Sequence, residues 1–576
     1  MRLQLPLLRS LQDLPPGAWK ADLLAGLITG ALLLPQALAY AQLAGLPPQS
    51  GLIASILPPL IYALFGGSRT LSVGPVAVAA LMVMHALAPF AEGDPSRWLG
   101  GAMILAAEGG VFLLLLRALR LGGLVAFVSH PVLYGFTAGA ALLIILSQLP
   151  HLSGAPLEAE HPWEVLLALP QMASQAQPGA LAFGLGAVAL LLLARGPLIQ
   201  LLRATALSPA AAVGLSRLVP LFLLVAAILL VRQLEPTGLR LVGPLPSGLP
   251  LPDWSLFRVQ GWLELAPSAA LIALVGYVES MAVARVLAQK RRQKLNPNTE
   301  LTALGLANLG AALSAAMPVA GGFSRSVVNF EAGALSQRAT LVSVACVALV
   351  AAFLSAPFAY LPQAVLAAII VVAVAQLIDW KAARAILAYD RGDGLSLGVT
   401  LLGVLVFGIE QGLMLGMVLS IALYLRRTSS PHIAVVGRVA GTEHFRNVER
   451  HAVECTPGVL TVRVDESLYF ANIDEVESRI EALLNAQAVP PQALLLILSA
   501  VSSIDASAEE ALLHWEEALQ ARGIQLHLAE VKGPVWDRLA RSAFGQRVQD
   551  RVHLSAHQAL QALALSVSPR DRSHSP

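Results

Sequence analysis

The sequence predicts a polytopic all-α membrane protein, a seven-plus-seven inverted repeat of about 14 transmembrane segments, followed by a small α/β domain. Three observations carry this. Of 576 residues, 56% are hydrophobic and 13% charged, and mean hydropathy is +0.68, whereas soluble domains carry about 25% charged residues. The charges are unevenly placed, about 10% of residues 1–427 against about 21% of residues 428–576, so two kinds of domain are present. Two segments broken by glycine and proline also hold equivalent places in two sets of apolar runs, the mark of an inverted repeat around a central binding site.

The first part is net basic and the tail net acidic, and the whole chain comes to +2 at pH 7. That balance gives no footprint for nucleic acid. Cys346 lies in an apolar run and Cys455 in the polar tail, so neither a disulfide framework nor a cysteine metal site can be built. No P-loop, GxSxG or His/Cys/Asp cluster with metal-ligand spacing occurs, which argues against a primary pump, an intramembrane enzyme or a resident metal.

Taken in order, residues 1–20 hold Arg2 and Arg9 and are interrupted by Pro15, Pro16 and Trp19 before any long apolar core, and they read as a retained cytoplasmic segment. The transmembrane domain covers 21–427. A spanning helix needs about 20 apolar residues, because the bilayer offers no partner to backbone polar groups. Residues 23–44, 50–65, 99–117, 124–148, 178–194, 215–231, 266–287, 299–316, 339–356, 361–378, 394–409 and 411–425 qualify. Two further runs, starting at Thr70 and Met317, contain glycine and proline where a full helix wants neither. With an even number of spans both termini share one side. Arg117, Arg120, Arg195, Arg203, Arg217, the cluster Lys290, Arg291, Arg292 and Lys294, and Arg338, Lys381, Arg384, Arg391, Arg426 and Arg427 all fall on that side. The opposite loops hold only Arg97, Arg232, Arg240 and Arg258, and one is acidic at Glu158, Glu160 and Glu164. The expectation is a multi-pass protein of the cell (inner) membrane with both termini cytoplasmic.

Residues 428–567 read as a cytoplasmic α/β domain. GVLTVRVDESLYFANIDEVESRIEALL predicts two short strands and a helix, ALLLILSAVSSID a buried strand, ASAEEALLHWEEALQARG an amphipathic helix and IQLHLAEV another strand. Residues 568–576 are a polar end.

The chemistry is expected where the broken segments begin. Each third segment starts near the midplane and, with an odd number of spans per repeat, the two N-termini face each other. A helix N-terminus offers unpaired N–H groups and about half a positive charge, so two of them make an anion trap. In the first repeat the start is Ser72, Val73, Gly74 and Pro75; in the second it is Gly321, Gly322, Phe323, Ser324, Arg325 and Ser326, with Arg325 as a cation at membrane depth. The competing reading is a kinked packed bundle with a snorkelling arginine. Glu279 lies well inside its helix and is a functional candidate by cost alone. Protonated, it would couple proton and anion binding; ionised, it would attract a cation or pair structurally with Arg285 or Arg325. Gln36 and Tyr40, one turn apart, can present polar groups to the same place. His85, His130 and Glu108 read as buried hydrogen-bonded groups, and Glu331 as an interface residue.

PQALAYAQLAGLPPQSGLIASILPPLIYALFGGSRTLSVGPVAVAAL, GYVESMAVARVLA, GGFSRSVVNFEAGA and the tail together resemble the SulP anion transporters, solute carrier family 26, over nearly the whole chain. The resemblance implies a core domain of segments one to four and eight to eleven, a gate domain of the rest, a cytoplasmic STAS domain, a homodimer and elevator-like transport. It also implies that Gln36, Tyr40, the backbone of Val73, Gly74, Pro75 and Val76, and Phe323, Ser324 and Arg325 line the anion site, and that Glu279 matches a proton-coupling glutamate. In IDASA, where related regulators carry a phosphorylatable residue, this chain has Ala506. The expected function is secondary active transport of a small inorganic or organic anion, sulfate or a carboxylate, in symport with protons. The alternatives are sodium-coupled bicarbonate uptake, with Ser280 beside Glu279 at a cation site, and a non-transporting scaffold or sensor. No cofactor is expected beyond the ion gradient.

Overall fold

The computed structural model describes residues 6–7, 14, 17–123, 129–155, 162–204, 215–234, 239–244, 248–249 and 252–567. Most of the N-terminal segment, Glu158, Glu160 and the polar end 568–576 lie outside them. The chain divides into two compact units, Met1–Ser420 and Ile421–Pro576.

The apolar runs become α1 (Ala18–Leu43), α2 (Pro48–Phe65), α3 (Ala77–Ala91), α4 (Pro95–Ala118), α5 (His130–Ser153), α6 (Pro178–Arg195), α7 (Val219–Leu234), α8 (Trp262–Lys290), α9 (Pro297–Leu313), α10 (Phe323–Glu331), α11 (Arg338–Phe353), α12 (Gln363–Val374), α13 (Arg391–Phe407) and α14 (Ile409–Ser429). Among the described residues, eight helical stretches are long and apolar enough to cross a membrane, and the chain is a multi-pass membrane protein. Proline opens α2, α4, α6 and α9, where its missing N–H costs nothing. The Asp94 carboxylate accepts from Ser96 N at 2.8 Å before α4, and Asn296 Oδ1 accepts from Asn298 N at 3.0 Å before α9.

The helix packing repeats itself under a shift of seven. α1 lies on α11 as α8 lies on α4; α5 lies on α13 as α12 lies on α6; α1 meets α10 as α8 meets α3. This is an inverted repeat, with α1–α4 and α8–α11 forming a core and α5–α7 and α12–α14 a gate. At the α4–α9 crossing, a Cβ on Gly110 would lie 2.8 Å from Gly305 O and one on Gly305 3.0 Å from Gly110 O, so only two glycines allow this approach.

The half-length helices α3 and α10 are preceded by extended chain, and the strands β1 (Val73–Gly74) and β2 (Ala320–Gly321) pair antiparallel, Val73 opposite Gly321. Equivalent segments of the two repeats thus meet on the pseudo-two-fold axis. Extended backbone at membrane depth is tolerated only with its polar groups satisfied by protein, and here side chains satisfy them. Glu300 of α9, wholly buried, accepts from Gly67 N, Ser68 N and the Tyr62 hydroxyl at 2.9, 3.0 and 2.7 Å. Asn329 Nδ2 donates to Thr70 O at 3.0 Å, Gln337 Nε2 to Ser68 O and Leu71 O at 2.6 and 3.1 Å, and Ser72 N donates to Ser326 Oγ at 2.9 Å. On the other strand, Asn308 acts as a neighbouring backbone would, accepting from Val319 N at 2.9 Å and donating to Val319 O at 3.0 Å. Ser280 Oγ accepts from Gly321 N at 2.7 Å. None of these pairings was visible in the sequence.

The second unit holds a six-stranded sheet in the order β4 (Phe445–Asn447), β3 (Ile433–Arg438), β5 (Val459–Val464), β6 (Ala493–Ile497), β7 (Gln525–Ala529), β8 (Val552–His553). The pairs from β5 to β8 are parallel; β3 is antiparallel to both β4 and β5. Helices α15 (Ile473–Asn485), α16 (Ala506–Ala521), α17 (Gly533–Leu539), α18 (Ala543–Val548) and α19 (Ala556–Val567) complete it. The segment predicted as two strands makes one: after β5, only Leu468 bridges, to Ile504, because Asp465 turns back to pair with Arg463 and His432. The β3–β4 hairpin, β8 and the last three helices were not expected.

Two predictions follow from these contacts. Asn308→Leu strands both Val319 backbone groups in an apolar core, and should lower stability by about 2 kcal/mol or more, read as a lower thermal midpoint in detergent. In the second unit, His527 Nδ1 lies 3.1 Å from His553 Nε2. Burial, then the charges of His553 and Arg551, push His527 from its usual 6.5 down to about 4. The unfolded chain therefore takes up protons that the folded domain refuses, and the stability present above pH 6.5 is lost as pH falls towards 4. Hydrogen exchange of β7 in the full-length chain should show a loss of roughly 1–2 kcal/mol between pH 7 and 5, with partial solvent access included, and His527→Gln should flatten that slope.

Candidate functional site

At the β1–β2 crossing the chain makes a small cavity of about 40 Å³, lined by Gln36, Tyr40, Val76, Ala77, Val78, Glu279, Gly322, Phe323, Ser324, Arg325, Ala373, Val374 and Leu377. α1 brings Gln36 and Tyr40, one turn apart; α8 brings Glu279; the starts of α3 and α10 bring the rest of the core side. Neither α3 nor α10 is capped by a side chain, since Val76 and Gly322, the residues before them, are extended and hydrophobic or bare. The first-turn N–H groups of both helices are therefore left to a ligand, with both dipoles adding positive potential.

Arg325 sits in the first turn of α10, 2% exposed. Its Nη1 donates to Pro75 O at 2.7 Å, across the repeat boundary, while Nε and Nη2 are buried without a partner. A buried guanidinium with two nitrogens unpartnered beside two uncapped helix ends can accept a polyatomic anion. Glycine makes the space: a Cβ at Gly322 would lie 2.9 Å from Nη2 and 3.0 Å from Cζ, and one at Gly74 3.3 Å from Nη2. Glu279 forms no ion pair or hydrogen bond among the described residues, so neither Arg285 nor Arg325 holds it in a salt bridge.

Of the sequence candidates, Gln36, Tyr40, Val76, Glu279, Phe323, Ser324 and Arg325 line one cavity. Val73, Gly74 and Pro75 stand behind it, the first two as β1 and Pro75 as the carbonyl that aims Arg325. Sequence reasoning missed Ala77, Val78 and the gate-side wall, Ala373 and Val374 of α12 and Leu377 beyond it. Nothing marks these apolar residues out in a chain so rich in them. Nor did it foresee Ser280's task. That hydroxyl donates to Gly276 O and accepts from Gly321 N, so it is committed to the backbone.

A larger cavity of about 440 Å³ shares Gln36, Phe323, Ser324 and Ala373 with the first and continues between core and gate past Arg195, Ser216, Arg217, Glu331 and Gln376. Glu331, expected at an interface, pairs across this gap with Arg217, and Arg195 donates to Val372 O of α12.

Comparison with known proteins agrees with this architecture. The Sulfate permease family matches residues 19–435, and the STAS domain matches residues 450–559. The chain is 35% identical to probable sulfate transporter 4.2 of Arabidopsis thaliana, over 94% of this chain and 81% of that one. It is 34% identical to a probable sulfate transporter of Mycobacterium tuberculosis, over 94% and 95%. The structure of murine Solute Carrier 26 family member A9, an anion transporter in the inward-facing state, superposes with a TM-score of 0.88 at 23% identity, covering 97% of this chain and 94% of that one. The transmembrane domain of a cyanobacterium bicarbonate transporter gives a TM-score of 0.59 at 22% identity over 71% and 98%. With most of its length matched by the family and relatives about a third identical over 94% of it, the chain belongs to the sulfate permease family.

Proposed function

We propose that this protein is a secondary active anion transporter that carries sulfate in symport with protons across the cell membrane, its core moving against its gate as an elevator. The observation that carries the anion reading is Arg325, buried with Nε and Nη2 unpartnered between two uncapped helix N-termini. Sulfate is favoured because the relatives are named sulfate transporters and because a dianion draws most from a guanidinium fork and two helix dipoles. Against the scaffold reading stand the unspent donors, which a purely structural arginine would not leave buried.

Proton coupling is supported by electrostatics. Glu279 is the only carboxylate among the described residues lining the cavity. Ionised, it cancels the charge of Arg325 and leaves a dianion facing helix ends alone. At an effective dielectric constant of about 20, like unit charges about 4 Å apart repel by about 4 kcal/mol and less at longer range, so an ionised carboxylate in the same cavity penalises a bound anion. Protonation removes that cost, so proton and anion bind better together than apart. Ser280 weighs against sodium, because its hydroxyl is already spent on Gly276 and Gly321.

Elevator motion is supported by the division of the lining: the core supplies every polar group, and the gate only the apolar Ala373, Val374 and Leu377. A gate that makes no polar bond to the ligand lets the loaded core slide past it. With the basic loops cytoplasmic, the larger cavity opens inward, and both termini lie in the cytoplasm. Assembly as a homodimer belongs to the same proposal and comes from the family resemblance.

In proteoliposomes with an inward proton gradient, Arg325→Ala is expected to abolish sulfate uptake while the protein keeps its wild-type elution profile; uptake at the wild-type rate would overturn the site. Gly322→Ala pushes a methyl group against the guanidinium and should raise KM for sulfate about tenfold or more. Glu279→Gln, a neutral mimic of the protonated acid, should retain sulfate exchange but lose accumulation driven by a pH gradient. Persisting accumulation would remove Glu279 from coupling.

A further inference from the structure

Between α12 and α13 lies a helix that the anion site does not use, Trp380–Tyr389. It follows Val374 through the tight turn Ala375–Leu377, and Asp379 starts it by accepting from Lys381 N and Ala382 N at 3.0 Å each. At ten residues it is about 15 Å long, too short to span a bilayer. One side rests on α13, where a Cβ at Gly394 would lie 2.8 Å from Leu387 Cδ2. None of its residues is buried, and Trp380, Leu387 and Tyr389 are 63%, 55% and 92% exposed.

The exposed residues are ordered. At 100° per residue, Trp380 and Leu387, seven apart, share a stripe; Arg384 flanks it and Lys381 continues beyond, so apolar and basic groups lie side by side. An aromatic residue stands at each end. Tyr389, nine residues on, lies on the opposite side, so the interfacial face is Trp380, Leu387 and the flanking cations, a combination that suits the boundary between acyl chains and headgroups. Three carboxylates lie nearby, Asp379 and Asp390 accepting from backbone N–H groups at helix starts and Asp393 in the first turn of α13; the helix ends offset part of their charge, and Arg391 adds a third cation.

We propose that the helix Trp380–Tyr389 binds anionic phospholipid at the membrane surface and thereby pins the gate-side wall of the substrate cavity. Trp380 and the exposed part of Leu387 enter the acyl region, and Lys381 and Arg384 take the phosphate and its negative charge. The wall residues Ala373, Val374 and Leu377 end three positions before Trp380, so the lipid contact holds the apolar surface past which the core moves. The inference needs the membrane-spanning fold and is independent of proton coupling and of the identity of the anion.

The test uses the full-length protein in vesicles of phosphatidylcholine and phosphatidylglycerol in which one lipid at a time carries brominated acyl chains. The signal is the quenching lost in Trp380→Phe, which isolates this tryptophan from the others. Expected is a Trp380 component quenched more strongly by brominated phosphatidylglycerol than by brominated phosphatidylcholine at equal mole fraction. Each cation near an anionic surface contributes about fivefold, so Lys381→Gln with Arg384→Gln should reduce that preference by roughly 25-fold, with the thermal midpoint unchanged. Equal quenching by both lipids would overturn the anionic site. Absence of any Trp380 component would overturn the interfacial placement itself, whatever the sulfate assays give.

Discussion

The structure depends on one constraint: two stretches of extended chain lie where the membrane supplies no hydrogen-bond partners, and each must be satisfied by protein. The β1–β2 pairing meets only part of the demand. The rest is met by side chains that imitate a missing backbone, Asn308 for Val319 and Glu300, Asn329, Gln337 and Ser326 for residues 67–72. Because the two strands pair with each other and the second repeat supplies side-chain partners to the strand of the first, α3 and α10 are fixed with respect to one another, and the opposition of their N-termini follows from the stitching behind them.

Beside the ladder residues that use both donor and acceptor, the unspent donors in the cavity stand out. Asn308, Ser280 and Ser326 use both donor and acceptor, whereas the guanidinium of Arg325 makes one bond and keeps two donors buried. The glycines at 74 and 322 leave room for that side chain. Desolvation of an unpaired cation is costly, and the first-repeat carbonyl of Pro75 with the rigid ladder holds Arg325 in place until a ligand completes its bonding. Rigidity behind and incompleteness in front belong to one design.

Much of the fold could be read from the chain, since apolar runs separated by basic loops report spans directly, and glycine and proline in the third run of each set report the half-helices. The site residues Gln36, Tyr40, Glu279 and Arg325 were legible as polar groups in apolar surroundings. What could not be read was partnership over long separations. Glu300 in PNTELTALG looks like an acid in a helix's first turn, and nothing local tells that it receives two N–H groups from residues more than 230 positions earlier. Ser280, beside Glu279, entered only the sodium alternative as part of a cation site; its hydroxyl turns to the strand. The wall at Ala373, Val374 and Leu377 is apolar like most of the membrane unit, so composition carries no signal there. In the STAS domain the segment after β5 has strand-like residues, but Asp465 takes the chain out of the sheet.

The cross-repeat bonds also impose an order in time. Ser72 waits for Ser326, Thr70 for Asn329 and Ser68 for Gln337, at separations of 254, 259 and 269 residues. At about 5–20 residues per second, the ribosome needs roughly 10–50 s to deliver these partners after the first strand has been made. Through that interval Ser72 N, Thr70 O and Ser68 O lack the second-repeat partners they have in the fold and must stay wet or at the protein-conducting channel. The candidate site is therefore completed only once the second repeat has been made, and a chain halted between the repeats would carry six spans around an unfinished strand.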